Sequence, residues 1–308
     1  MTSQVMVVKP TGAIVGEPPP AHTVLTMEAT VDRPFRAAAP PHNAPVGDLL
    51  RHWRQHRRWS QLDLATEAEV STRHLSCMET GRALPSREML LRLAERLEVP
   101  LRERNQLLTA AGYAPMYRER PLADPTMQPA YAAVQRVLHA HDPFPALAVD
   151  RQWNLVAHNR AAGAFMIGLP PELLEPPVNV LKVSLHPQGL APRIANFAAW
   201  REHLFDRLAH QVRASGDATL AALADELRAL PLPEGVAAAS AGAPRHTVDI
   251  AVPLQLHSPA GLLSFISTIT VFGTPVEVTL SELAIEAFFP ADDATAQALA
   301  AIAAAGSE

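Results

Sequence analysis

The chain has 308 residues, 48 % of them hydrophobic and 19 % charged, which supplies apolar surface for sizeable cores and excludes disorder throughout. Its single cysteine, Cys77, excludes an intramolecular disulfide and fits a reducing cytoplasm. The formal net charge of -5 argues against nucleic-acid binding only until it is divided along the chain. Residues 1–43 sum to zero. Residues 44–113 carry eleven Arg against nine Asp or Glu, for +2, and residues 114–308 carry twelve Lys or Arg against nineteen acids, for -7. A mildly basic module is joined to an acidic one.

Residues 1–43, with "GEPPPAH" and "RPFRAAAPPHNAP", are rich in Pro and Ala without sustained periodicity. Such a composition does not repay the entropy of ordering and reads as a flexible tail. The start lacks a basic leader followed by an apolar stretch, so no signal peptide is expected. No run of eighteen apolar residues appears, and the expected location is the cytoplasm, with no membrane partner.

From Val46 the texture changes. Val46, Leu49, Leu50 and Trp53 follow the i, i+3, i+4, i+7 spacing of one helix face. Ser60 caps "QLDLATEA", with Asp63 at the reach-back position of a capping box. Ser71 caps "TRHLSCMETGR", and Ser86 caps "REMLLRLAERLEV", where Leu90, Leu93, Ala94 and Leu97 repeat the helical spacing. Pro100 breaks that helix, and "LRERNQLLTAAGY" begins a fifth that ends near Gly112. Five short helices over residues 44–113 make an all-α bundle. Leu62, Leu64, Ala65, Val70, Leu75 and Met78 are its expected inward positions around the second and third helices. Thr72, Arg73, Ser76 and Cys77 are then left facing outward on the third.

The stretches "SQLDLA", "VSTRHLSCMETGR" and "PSREMLLRLAERLEV" resemble, in order, the helix-turn-helix domain of the XRE family, which includes the phage repressors. The resemblance implies that the third helix enters a DNA major groove. By it, Thr72, Arg73 and Cys77 take base-facing positions, with Ser71 and Ser76 beside them. Gln61 holds a phosphate and braces the recognition helix, and Arg82 makes a basic phosphate contact. Arg54 and Glu79 match a partly buried structural ion pair. The fork of Arg73 suits guanine O6 and N7. Lysine is absent from 44–113, so the local positive charge would come from Arg51, Arg57, Arg58 and Arg82. With so little charge, a homodimer on a near-palindromic operator is expected.

A Pro-rich joint, "APMYRERPLADPTMQP", leads to a helix around 129–141. "FPALAVDRQWNLVAHNRAAGAFM" reads as strand, turn at Asp150-Arg151, strand, then a helix opened by Asn159. "APRIANFAAWREHLFDRLAHQVRASG" and "DATLAALADELRAL" read as helices, the second starting at Asp217. Strand-like runs follow in "HTVDIAVPLQLH", where Val248, Ile250, Val252, Leu254 and Leu256 share one side, then in "LLSFISTITVF" and "TPVEVTL", the last two separated by a hairpin signal at Gly273. "SELAIEAFFP" is expected to close as a helix. Residues 114–308 thus form an α+β domain with an antiparallel sheet.

The strand, turn, strand and Asn159-led helix are similar to the start of a PAS-like fold. Over 114–303 the chain resembles the MmyB-like ligand-binding domain, carried by "NVLKVSLHPQGLAPRIANFAAWREHLFDRLAHQ" and "ISTITVFGTPVEVTLSELAIEAFFP". That resemblance implies a PAS-like pocket for a fatty acid or similar apolar ligand. Candidate ligand residues are Phe197, Trp200, Phe265 and Phe272 for apolar contact, and His186, Arg193 and Arg201 for a carboxylate head. His158 and His186 leave haem a minor alternative, since no Cys-x-x-Cys-His occurs, and no metal ligand set is present. A Gly-rich phosphate loop, G-x-S-x-G and H-E-x-x-H are all missing, so no enzyme is expected. The reading is a DNA-binding regulator modulated by a small apolar ligand. Its alternatives are a protein-interaction module with a dimerisation domain, and a ligand-independent dimeric repressor.

Overall fold

The computed structural model describes residues 44–233, 252–272 and 277–305. The expected tail at 1–43, the strand positions Val248 and Ile250 and the hairpin signal Gly273 lie outside the described residues. The first domain holds α1 (Val46–His56), α2 (Gln61–Glu67), α3 (Thr72–Glu79), α4 (Arg87–Arg96) and α5 (Leu101–Ala110). Serine sets three of its helix starts. Ser60, Ser71 and Ser86 each accept a bond from the backbone N–H three residues on, and Ser60 N donates in turn to the Asp63 carboxylate at 2.8 Å, completing a capping box.

The core of this domain contains Val46, Leu49, Leu50, Trp53, Leu64, Ala65, Leu75, Met78, Leu90, Leu93, Ala94 and Leu97. Leu62 is a correction: it is 64 % exposed rather than inward. It stands two residues before the buried Leu64, about 200° around a helix, so both cannot face one core. Helices α1 and α3 approach closely. A Cβ on Gly47 would lie 2.5 Å from the Met78 carbonyl oxygen and 2.8 Å from that of Glu79, so only glycine fits there.

The second domain begins with α6 (Gln128–Ala140), β1 (Ala146–Val149), β2 (Leu155–His158), α7 (Arg160–Ala164), α8 (Val180–Leu185), α9 (Phe197–Ser215) and α10 (Ala218–Ala229). After the segment outside the described residues come β3 (Leu254–Ser258), β4 (Gly261–Val271), α11 (Val278–Ser281), β5 (Ala284–Pro290) and α12 (Asp293–Ala305). The strands form one antiparallel sheet in the order β2-β1-β5-β4-β3. Ala146, Ala148 and Ile285 pack with Val134 and Leu138 of α6 on one face. Val149, Leu254, Leu256 and Phe265 join Phe197, Trp200, Leu204 and Leu208 of α9 in a separate core. Asn159 ties the first part together, its Oδ1 accepting from Ala146 N and Ala162 N and its Nδ2 donating to Phe144 O and Leu138 O.

Two sequence expectations are corrected here. "SELAIEAFFP" supplies β5, not a helix, because its Ala284–Pro290 stretch is claimed by β1 on one side and β4 on the other. Tertiary pairing overrides the helix preference of its Leu, Ala and Glu residues. The described part of "TPVEVTL" contributes an isolated bridge at Glu277 and the one-turn α11 rather than a strand.

Gly47→Ala is expected to lower unfolding stability by about 1–3 kcal/mol in urea titration, despite alanine's better helix propensity, because the added methyl meets backbone that cannot yield.

Candidate nucleic-acid interface and ligand cavity

Helix α3 is held from behind by one anion. The Glu79 carboxylate is fully buried and accepts from Arg54 Nε at 2.6 Å, Arg54 Nη2 at 2.8 Å and Gln61 Nε2 at 2.9 Å. Burial pushes the Glu79 carboxyl up, but the hydrogen bonds from Arg54 and Gln61, aided by the charges of Arg54 and Arg51, outweigh it and hold the group below its ordinary value. Arg54 also donates to Trp59 O, and Arg51 to the Glu79 carbonyl at 2.9 Å. One carboxylate therefore joins α1, α2 and α3 through a bidentate arginine and an amide.

With Leu75, Met78 and Glu79 turned inward, Ser71, Thr72, Arg73 and His74 are exposed, and Ser76 and Cys77 are half-buried. Helix α3 ends in a Schellman turn: Gly81 (φ 73°) donates to Met78 O at 3.2 Å and Arg82 to Cys77 O at 2.9 Å. That turn places the exposed Arg82 beside the end of the helix. Among the other expected cations, Arg58 is exposed, while Arg57 donates to Leu97 O and Glu98 O and Arg51 is engaged at Glu79. Gln61 braces α3 through Glu79. His74 is a further exposed α3 side chain that the sequence reading did not select.

The second domain docks on α1 and α5, away from the exposed side of α3. Arg102 of α5 makes a bidentate pair with Glu282, at 2.8 and 2.9 Å, and a further bond with Glu119. Arg151, in the β1–β2 turn, lies 3.8 Å from Glu103, 3.7 Å from Asp217 and 3.7 Å from Glu282. Burial pushes the Glu103 carboxyl up to about 7, with Arg151 opposing the rise. On α1, the side chains of His56, His52 and Trp53 are those that a Cβ on Gly216 would meet, at 3.8, 3.9 and 4.0 Å. Burial lowers both histidines below their ordinary value, and each is held down further by a neighbouring charge, His56 on His52 and Arg57 on His56.

Between the sheet and helices α7, α8 and α9 lies a cavity walled by Leu147, Phe165, Trp200, Leu204, Phe265 and Phe288 among other apolar residues. Among the described residues, its polar lining residues are Ser184 and Glu286. The structure thus brings Trp200 and Phe265 of the expected ligand residues to the cavity. Phe197 is buried in the core next to it, and Phe272 packs with the α6 cluster on the other face of the sheet. The three expected head-group cations are not in the lining. His186 ends α8 and accepts from Gln188 N, Arg193 donates to Phe165 O, and Arg201 lies over the Phe205 ring and donates to Arg228 O. Glu286 was missed, although a lone acid inside the apolar run "AIEAFF" was a visible signal.

Comparison with known proteins bears directly on these two sites. The model of the MmyB-like transcription regulator ligand binding domain matches residues 130–302, more than half of the chain. The chain belongs to the MmyB-like transcription regulators. A helix-turn-helix domain model matches residues 45–107, which cover α1 to α5 up to Leu107. This MmyB-like protein is therefore a DNA-binding transcriptional regulator with a ligand-binding domain. A search of curated proteins finds no match. Among the described residues, no helix is long and apolar enough to cross a membrane.

The raised Glu103 fixes the sign of one pH effect. The docked fold binds more protons than the unfolded chain between about pH 4.5 and 7, so this contribution is full below that window and lost as pH rises through it. The expected difference in stability between wild type and Glu103→Gln grows by up to roughly 3 kcal/mol in the variant's favour from pH 5 to 8. Calorimetric melts of both proteins at each pH check it, because the histidine contributions cancel in the difference.

Proposed function

We propose that residues 44–113 read a duplex operator through the outward side of α3, and that residues 114–308 sense an apolar small molecule and pair two protomers. The observation that carries this reading is the exposure of Thr72, Arg73 and Arg82 in a chain whose second domain packs on α1 and α5. In the complex, Arg73 offers its fork to guanine, and Thr72 and Cys77 lie against base edges or a thymine methyl. Ser71 and Ser76 flank them. Gln61, at the first position of α2, and Arg82 face phosphates. A helix of eight residues with few cations binds one half-site weakly, which favours two protomers on a near-palindromic operator.

The PAS-like reading of the second domain is supported by its single antiparallel sheet with helices enclosing an apolar cavity on one face. The MmyB-like resemblance suggests a fatty acid, but the lining favours an apolar molecule without favouring a carboxylate head. Helix α9 spans the distance from cavity to domain contact: Trp200 and Leu204 line the cavity, and Gly216, just past its end, meets α1. A ligand that favours one arrangement of α9 biases the docking of the first domain. A tenfold change in operator affinity requires only about 1.4 kcal/mol of differential ligand affinity between the two arrangements.

Selection of binding sites from a random duplex pool, followed by titration of wild type and Arg73→Ala, tests the readout. The expected result is a loss of about 1–3 kcal/mol on the selected site with a relaxed preference at one base pair and an unchanged melting temperature. An unchanged base preference in the folded variant favours a protein-interaction role for the bundle instead.

A further inference from the structure

The polar end of the cavity is a closed ion pair. Glu286 sits on β5 directly opposite Leu147 of β1, so both side chains project from the same face into the cavity. The carboxylate is buried, and its Oε1 accepts from Arg207 Nη1 at 2.9 Å. The guanidinium of Arg207 lies 4.1 Å from the centroid of the Trp153 ring, outside the cavity lining. Arg207 Nε and Nη2 are buried and find no hydrogen-bond partner among the described residues. His203, tilted at 31° to Trp200 with 5.4 Å between centroids, also lies beside the pair; burial followed by the charge of Arg207 holds it below its ordinary value, against the opposing charges of Glu286 and Asp206. The pair is neutral as a whole, but the member presented to the cavity is the anion.

We infer that the cavity takes a neutral apolar molecule bearing a hydroxyl group, which donates its hydrogen bond to Glu286. The inference rests on the ligand-sensing reading given above and adds the class of ligand. A carboxylate head would be brought against the Glu286 carboxylate in surroundings of low polarity, where like charges repel strongly. An ammonium head would meet Glu286 with its charge already matched by Arg207, and would itself be desolvated without a partner of its own. A hydroxyl carries no charge to desolvate and fills the acceptor capacity of the carboxylate. Ser184, whose Oγ accepts from Trp200 Nε1 at 3.1 Å, is uncharged and adds no cation to the lining. The apolar walls then bury the remainder of the molecule.

Titration calorimetry of the full chain at pH 7.5 with 1-decanol, decanoate and decylamine tests this, since the three share one chain and differ only in the head. The expected order places decanol about tenfold or more ahead of either charged analogue. Glu286→Gln removes the anion and leaves Arg207 without its counter-charge, so decanoate is expected to overtake decanol in that variant. Wild type that binds decanoate as tightly as decanol, or decylamine more tightly, overturns the head-group assignment while leaving a ligand site in place. Binding of none of the three by wild type overturns the cavity reading itself, and this inference with it.

Discussion

The buried carboxylate of Glu79 is the constraint on which the DNA-facing half depends. A glutamate in the last turn of α3 opposes the helix macrodipole and is desolvated in addition, so it persists only because other elements bring charge and donors to it. Arg54 reaches it from α1 with two nitrogens, Gln61 from α2 with one, and Arg51 covers the adjoining carbonyl. Gly47 lets α1 approach that same end of α3 without a clash. These contacts fix the rotation of α3 about its axis. Leu75 and Met78 are turned inward and Arg73 outward as a single geometric consequence.

The second domain respects that arrangement. Its ionic contacts fall on α5, through Arg102 and Glu103, and its close packing falls on α1, through His52, Trp53 and His56. Both helices share one hydrophobic core with α3. Arg151 and Trp153 share the turn between β1 and β2: the first points to Glu103, the second receives Arg207 over its ring and donates to Gln211 of α9. Trp153, whose ring carries Arg207 of the ion pair at the cavity end, and Arg151 of the ion cluster at the domain contact are therefore two residues apart in the chain.

The first domain was legible in the sequence because its signals are local. Ser60, Ser71 and Ser86 each cap a helix within three residues, and the spacing of Leu90, Leu93, Ala94 and Leu97 states the buried face directly. Leu62 misled because apolarity alone does not assign a side of a seven-residue helix. The second domain was harder where pairing is long-range. The residues of β5 favour a helix one by one, and only the presence of β1 and β4 on either side makes them a strand. Glu286 could be seen as a charge within an apolar run, but its partner Arg207 lies 79 residues earlier, beyond the reach of any local pattern. The expected cations His186, Arg193 and Arg201 were close to the right elements in sequence and outside the lining in space.

The half-buried thiol of Cys77, the chain's single cysteine, lies on the outward side of α3 and reports directly on whether that helix enters a groove. The decisive measurement is its rate of alkylation in the free protein, with a saturating selected duplex, and with the same excess of scrambled duplex. A recognition helix seated in the major groove requires strong slowing by the selected duplex and little by the scrambled one. An unchanged rate in the saturated specific complex would contradict that seating and, with it, the reading of DNA by α3.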